Sequence, residues 1–168
     1  MKCAVLFLAL ALAVSVPAHA RESLGVYERW GAFHDAEIPR CYAISQPVNG
    51  NRKGRWHPFA AIGFWPEKGV RGQVHFRISR EKAPDSQITL SIGVRRFTLI
   101  AGGADAWAPD KRTDAAIIAA IRSGNSMSVQ TVSKSGAPFA DVYALRGAAS
   151  AIDAAALGCA KLGGIYDR

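Results

Sequence analysis

The chain has 168 residues, of which 49% are hydrophobic, with 21 basic and 13 acidic residues for a formal charge of +8. That size suits one domain with a sizeable core, and the charge favours anionic surfaces. After residue 20 no apolar run reaches the ~20 residues of a membrane span, so no membrane-spanning helix is expected there.

The chain opens MKCAVLFLALALAVSVPAHA. Lys2 is a short positive region, Ala4 to Val16 is an almost unbroken apolar run, and Ala18-His19-Ala20 fits small-x-small cleavage. This order reads as a signal peptide cleaved after Ala20, leaving a single domain at 21–168. The competing reading is an uncleaved N-terminal anchor. Cys3 precedes the apolar run, which argues against a lipoprotein. Residues 1–20 hold one basic residue and no acid, so cleavage leaves a charge of +7. The expected location is periplasmic or secreted. Nucleic acid is excluded as a partner, while anionic envelope polymers or lipids are accessible ones.

RCYAIS (40–45) alternates after Pro39 and predicts a strand, with Cys41, Ala43 and Ser45 on one face. GNRKGR (50–55) is a basic, turn-rich loop, and WHPFAAIGFWP is a short apolar segment between prolines. VRGQVHFRIS (70–79) is the clearest strand. Val70, Val74, Phe76 and Ile78 lie on one face, with Arg71, Gln73, His75 and Arg77 on the other. QITLSIGV (87–94) repeats the pattern, with Ile88, Leu90, Ile92 and Val94 expected inward. Another short strand follows at 96–100.

TDAAIIAAIRS (113–123) changes to helical period, with Ile117, Ile118 and Ile121 as its stripe. Thr113 is the expected N-cap and Gly124 the stop. SMSVQTVS (126–133) and 139–145 form a hairpin around Gly136-Ala137-Pro138. Ser150 and Asp153 have capping-box spacing for a last helix, which Gly163-Gly164 should end. The expected fold is β-rich (α+β): an antiparallel, sandwich-like sheet with two late helices.

Two cysteines remain after cleavage, Cys41 and Cys159. In an oxidising compartment an even count predicts a disulfide, and closing so long a loop removes about 4–5 kcal/mol of unfolded-state entropy. Two buried free thiols are the alternative. Cys159 shares a helical stripe with Ile152, Ala155 and Ala156, so it should face the sheet. The spacing matches no zinc pattern, so no metal is expected.

The stretch SMSVQTVSKSGAPFADVYALRGAASAIDA, followed by a terminal cysteine, resembles the invasion-associated locus B family of exported bacterial proteins. The resemblance implies a β-rich envelope or periplasmic protein without established catalytic activity, and it carries over no functional residues.

Enzyme motifs are weak. There is no Gly-x-Ser-x-Gly elbow and no phosphate loop followed by Lys-Ser/Thr. Asp105, Asp110 and Asp114 cluster in sequence, but Asp114 suits a helix start and Asp110 a turn. His34, His57 and His75 read as solvated surface residues. No catalytic residue and no cofactor is therefore expected. The basic residues are more suggestive. Arg52, Lys53 and Arg55 lie in one loop; Arg71, His75 and Arg77 share a strand face. If the loop folds over that face, a cationic patch forms that would hold phosphate, lipopolysaccharide head groups or an acidic partner. Ordinary solubilising charge is the competing reading. The expected function is a non-catalytic envelope protein that binds through this basic face. The alternative is a periplasmic enzyme inhibitor or accessory protein bound to a protein partner, and an envelope hydrolase is the third choice.

Overall fold

The computed structural model describes residues 21–50 and 57–166, with side chains through Ala160. The expected signal peptide and the loop cations Arg52, Lys53 and Arg55 lie outside the described residues.

Among the described residues ten strands form one antiparallel sheet. β1 (Glu22–Tyr27), β2 (Trp30–Asp35), β3 (Arg40–Ser45), β4 (Phe59–Trp65) and β5 (Val70–Arg77) pair in chain order. β6 (Ile88–Ile92), β7 (Arg95–Gly102) and β8 (Asp105–Trp107) fold back so that β8 joins β5. β9 (Ser126–Val132) and β10 (Pro138–Ala144) extend the other end of the sheet beside β6. The helices are α1 (Lys111–Ser123) and α2 (Ala148–Tyr166). The β-rich, sandwich-like sheet with two late helices is the architecture found.

Alternation drives the strands as expected. In β6, Ile88, Leu90 and Ile92 are buried; in β9, Met127, Val129 and Thr131 are buried. The sheet curls far enough that Phe76 of β5 and Tyr143 of β10 meet with ring centroids 6.3 Å apart. The loop after β3 helps close it. Val48 N–H donates to the Val142 carbonyl at 2.7 Å, and the Asn49 side chain bonds Ala140 O and Val142 N. β10 thus has part of its outer edge satisfied by a loop.

The strands β1 and β2 were not expected, because glycines and charges interrupt ESLGVY and WGAFHD. The glycines are compensated by rings on the same face two residues on. A Cβ at Gly31 would lie 2.6 Å from Phe33 Cε2, and one at Gly25 2.8 Å from the Tyr27 hydroxyl. Val94 is a correction: it occupies the β6–β7 turn after Gly93 and is 99% exposed, because the hairpin reverses before the alternation reaches it.

The helix starts also differ. Asp110, not Thr113, caps α1: the Thr113 N–H donates to Asp110 Oδ1 at 2.7 Å. α2 begins at Ala148, so Ser150 lies in its first turn and Asp153 pairs instead with Arg122 of α1. It continues past Gly163-Gly164 to Tyr166.

α2 packs its small buried stripe, Ala148, Ala151, Ala155 and Cys159, against the first strands. The close approach is extreme at Gly147, just before the helix. Its φ is +85°, and any Cβ there would run into the Tyr27 carbonyl oxygen. Cys159 is disulfide-bonded to Cys41 of β3, with Cα atoms 5.6 Å apart. The disulfide, not a pair of free thiols, is the arrangement found. α1 serves a different edge. β8 covers only His75–Arg77 of β5, and lower down Asp114 Oδ1 accepts the Val74 N–H at 2.8 Å.

Candidate functional site

Both helices pack on the core-facing side of the sheet, where Cys41 and Val74 lie. The opposite, outer face of β2–β5 and β8 carries a band of aromatic and charged side chains. Register places them together: Phe33 opposite Tyr42, Phe59 opposite Arg77, and His75 opposite Trp107.

At one end, Phe33 and Tyr42 have ring centroids 5.7 Å apart, and the Arg40 guanidinium sits 5.0 Å over the Tyr42 ring. Arg40 also bonds Asp35 Oδ2 at 3.2 Å. At the other end, His75 stacks on Trp107 with ring centroids 5.1 Å apart and planes 6° from parallel. Phe59 meets His75 edge-on at 5.0 Å. Asp105 closes the cluster. Its Oδ1 pairs with His75 Nε2 at 2.8 Å, and Arg77 donates Nε to Oδ1 at 3.0 Å and Nη2 to Oδ2 at 2.9 Å. Such a two-pronged fork is the strong form of an Arg–carboxylate pair. Burial opposes ionisation of Asp105, but hydrogen bonds from Arg77 and His75, reinforced by their charge, hold its carboxyl below the ordinary range.

Two of the six sequence-derived cations, His75 and Arg77, therefore come together. They do so around an acid that the strand pattern did not reveal, 30 and 28 positions away in sequence. His75 is a correction as well. It is wedged between Phe59 and Trp107 rather than solvated. His34, only 14% exposed in its side chain, contacts Glu22. Arg71 is a correction: the β4–β5 bulge pairs it with Phe64, on the side of the sheet that carries Cys41, so it does not share a face with His75 and Arg77; it is exposed and joins no ion pair among the described residues. Arg52, Lys53 and Arg55 belong to the segment between Gly50 and His57.

The other acids have separate structural uses. Asp110 caps α1, and Asp114 holds the β5 edge. Burial pushes the Asp114 carboxyl up. Asp141, 3% exposed, accepts the Ser79 N–H at 2.8 Å and is also pushed up by burial. Among the described residues no hydroxyl or thiol hydrogen-bonds His75, and no cluster of His, Cys, Asp and Glu is arranged to hold a metal ion. Among the same residues no helix is long and apolar enough to cross a membrane.

No family model and no curated protein matches the chain. Its fold is similar to the crystal structure of invasion associated protein B from Bartonella henselae, with a TM-score of 0.56 and 15% identity over 77% of this chain and 92% of that one. At that identity the likeness shows the fold alone.

Proposed function

We propose that the protein is an exported cell-envelope protein that acts by binding, not catalysis, and that it holds an anionic envelope component on the outer face of its sheet. The observation that carries this reading is that outer face. Aromatic rings and guanidinium groups gather there on five strands while both helices pack on the other side. The charge of +7 left after cleavage draws anions to it. The cations taken as the binding set are Arg52, Lys53, Arg55, His75 and Arg77. Arg77 is partly neutralised by Asp105, so in this reading the loop cations carry most of the attraction. The fold shared with invasion associated protein B supports the envelope location. Cleavage after Ala20 completes the reading, and the mass of the protein isolated from its native host tests it.

Co-sedimentation with vesicles containing anionic lipid, or with lipopolysaccharide, at low and moderate salt tests the binding. Binding should be measurable at low salt, fall with added salt, and weaken when Arg52, Lys53 and Arg55 are replaced by Glu. No binding at low salt sinks the basic-face reading.

A second reading is favoured by β1, the last strand of the sheet, whose outer side no described strand pairs. An inhibitor or accessory protein would add a partner strand there. A stoichiometric, salt-insensitive protein partner in a periplasmic pull-down would support it over the first.

A further inference from the structure

Charge is unevenly placed on this fold. Arg29, Arg95, Arg96, Arg122 and Arg146, all exposed, share one corner with two acids, Glu28 and Asp153. The remaining described side chains hold ten Lys or Arg and ten Asp or Glu. The excess positive charge of the described residues therefore lies at that corner.

Contacts along the rim bring its four turns together. Ile92, at the end of β6, pairs with Met127, and Ser126 of β9 pairs with Ala144 of β10. The Leu145 N–H donates to the Asn125 carbonyl at 3.0 Å, and a Cβ at Gly124 would lie 3.0 Å from both Ile92 Cγ2 and Leu145 Cδ1. Trp30 Nε1 donates to the Ala144 carbonyl at 2.9 Å, and Gly147 lies against the Tyr27 carbonyl. The β6–β7 turn, the α1–β9 and β10–α2 junctions and the β1–β2 turn thus adjoin. Arg122 is paired with Asp153, and Arg96 donates to the Ser91 hydroxyl at 2.8 Å. Arg29, Arg95, Arg96 and Arg146 join no ion pair among the described residues.

The same corner carries Val94 and Val26, 99% and 72% exposed, the two most exposed large hydrophobic side chains among the described residues. Turn chemistry does not ask for Val94. Gly93 takes the positive φ, +56°, and the place after it in such a two-residue turn ordinarily holds a polar residue. Nothing lies within 4 Å of an added Cβ at Gly93, so the tip stands clear of the body. A second copy of this chain would bring the same arginines and be repelled. A flat anionic layer suits the corner: guanidinium groups bond phosphate oxygens at two points, and an apolar tip enters the head-group zone.

We propose that this corner docks the protein on the surface of an anionic phospholipid bilayer, Val94 entering the head-group zone and Arg29, Arg95, Arg96 and Arg146 holding lipid phosphates. None of these residues belongs to the cation set of the outer face, so the two readings fail separately.

Co-sedimentation of the purified protein at low salt, with phosphatidylglycerol–phosphatidylcholine vesicles and with phosphatidylcholine vesicles, tests the docking. Binding should need phosphatidylglycerol and weaken about tenfold or more in Arg95→Glu with Arg96→Glu. Val94→Asn, which keeps the charge and suits the turn, should weaken it about fivefold. Circular dichroism verifies the fold of each. Equal binding to phosphatidylcholine, or unchanged binding in either variant, overturns the docking. If soluble glycerophosphoglycerol displaces the protein at a concentration equal to that of the vesicle lipid, the site takes free phosphate esters and the bilayer is overturned as its partner. Replacing Arg52, Lys53 and Arg55 by Glu separates the two surfaces. If that variant alone loses binding, the outer face holds the lipid and the corner does not. If only the corner variants lose it, the docking stands and phospholipid is not the ligand of the outer face. If nothing binds, the docking falls, and with it phospholipid as the outer face's ligand.

Discussion

Cys41 and Cys159 are disulfide-bonded across 118 positions, so the last helix is fastened to the third strand. Both sulfurs are buried, and the helix approaches on alanines. The staple closes nearly the whole domain into one loop. Its removal acts chiefly by freeing the unfolded chain. The double variant Cys41→Ala with Cys159→Ala should lower unfolding free energy by about 2–5 kcal/mol, read as a lower denaturant midpoint. Mass spectrometry of unreduced protein should show no free thiol at either position; two free thiols would refute the bond.

Asp105 gives a pH signature. Its folded carboxyl is held low by Arg77 and His75 against the opposing effect of burial, so the charged form favours folding. That contribution is fully present above the ordinary value of 3.8 and is lost as pH falls through the lower, folded value. Asp105→Asn should flatten the acid side of the stability curve. Arg77→Ala should cost only about 0.5–1 kcal/mol, because its side chain is 41% exposed and solvent screens the pair. An acid limb unchanged by Asp105→Asn would contradict the cluster.

Asp141 should behave in the opposite sense. Burial raises its folded carboxyl above 3.8, so the neutral form favours folding. This contribution is complete below 3.8 and disappears as pH rises through the raised value. Asp141→Asn keeps a carbonyl acceptor for the Ser79 N–H and should remove that loss, leaving the protein at least as stable at neutral pH. Asp141→Ala strands the N–H and should cost about 1–3 kcal/mol. Chemical denaturation across pH distinguishes the two.

Gly147 and Gly69 separate backbone strain from collision. Both have positive φ, +85° and +62°. At Gly69 nothing lies within 4 Å of an added Cβ, so Gly69→Ala should cost about 1 kcal/mol. At Gly147 the Tyr27 backbone is in the way, and Gly147→Ala should cost about 3 kcal/mol or more by pushing α2 from the β1–β2 turn. Equal losses in thermal melts would mean that the close approach is absent.

Several elements were legible because their signals are local. Residues alternating along 88–92 and 126–132 bury the same side wherever the strand pairs, and the isoleucines of α1 sit on one stripe whatever they meet. β1 and β2 were hidden for a related reason. Gly25 and Gly31 weaken local strand preference, and the strands persist because Tyr27 and Phe33 cover those glycines and neighbouring strands pair them. The candidate face was half legible. A period of two puts His75 and Arg77 on one side of β5, but it says nothing of the acid or rings on β4 and β8.

The strand-rich class, the two late helices and the cysteine pair are readable from residues alone, because periodicity and residue count belong to the chain before it folds. That Asp105 meets His75 and Arg77, that Val94 sits in a turn, and that Phe33, Ile44 and Phe59 line one groove came only with the folded chain. Those outcomes depend on which strands become neighbours and in what register. Register is a sum over many distant contacts, and a local pattern of residues does not contain it.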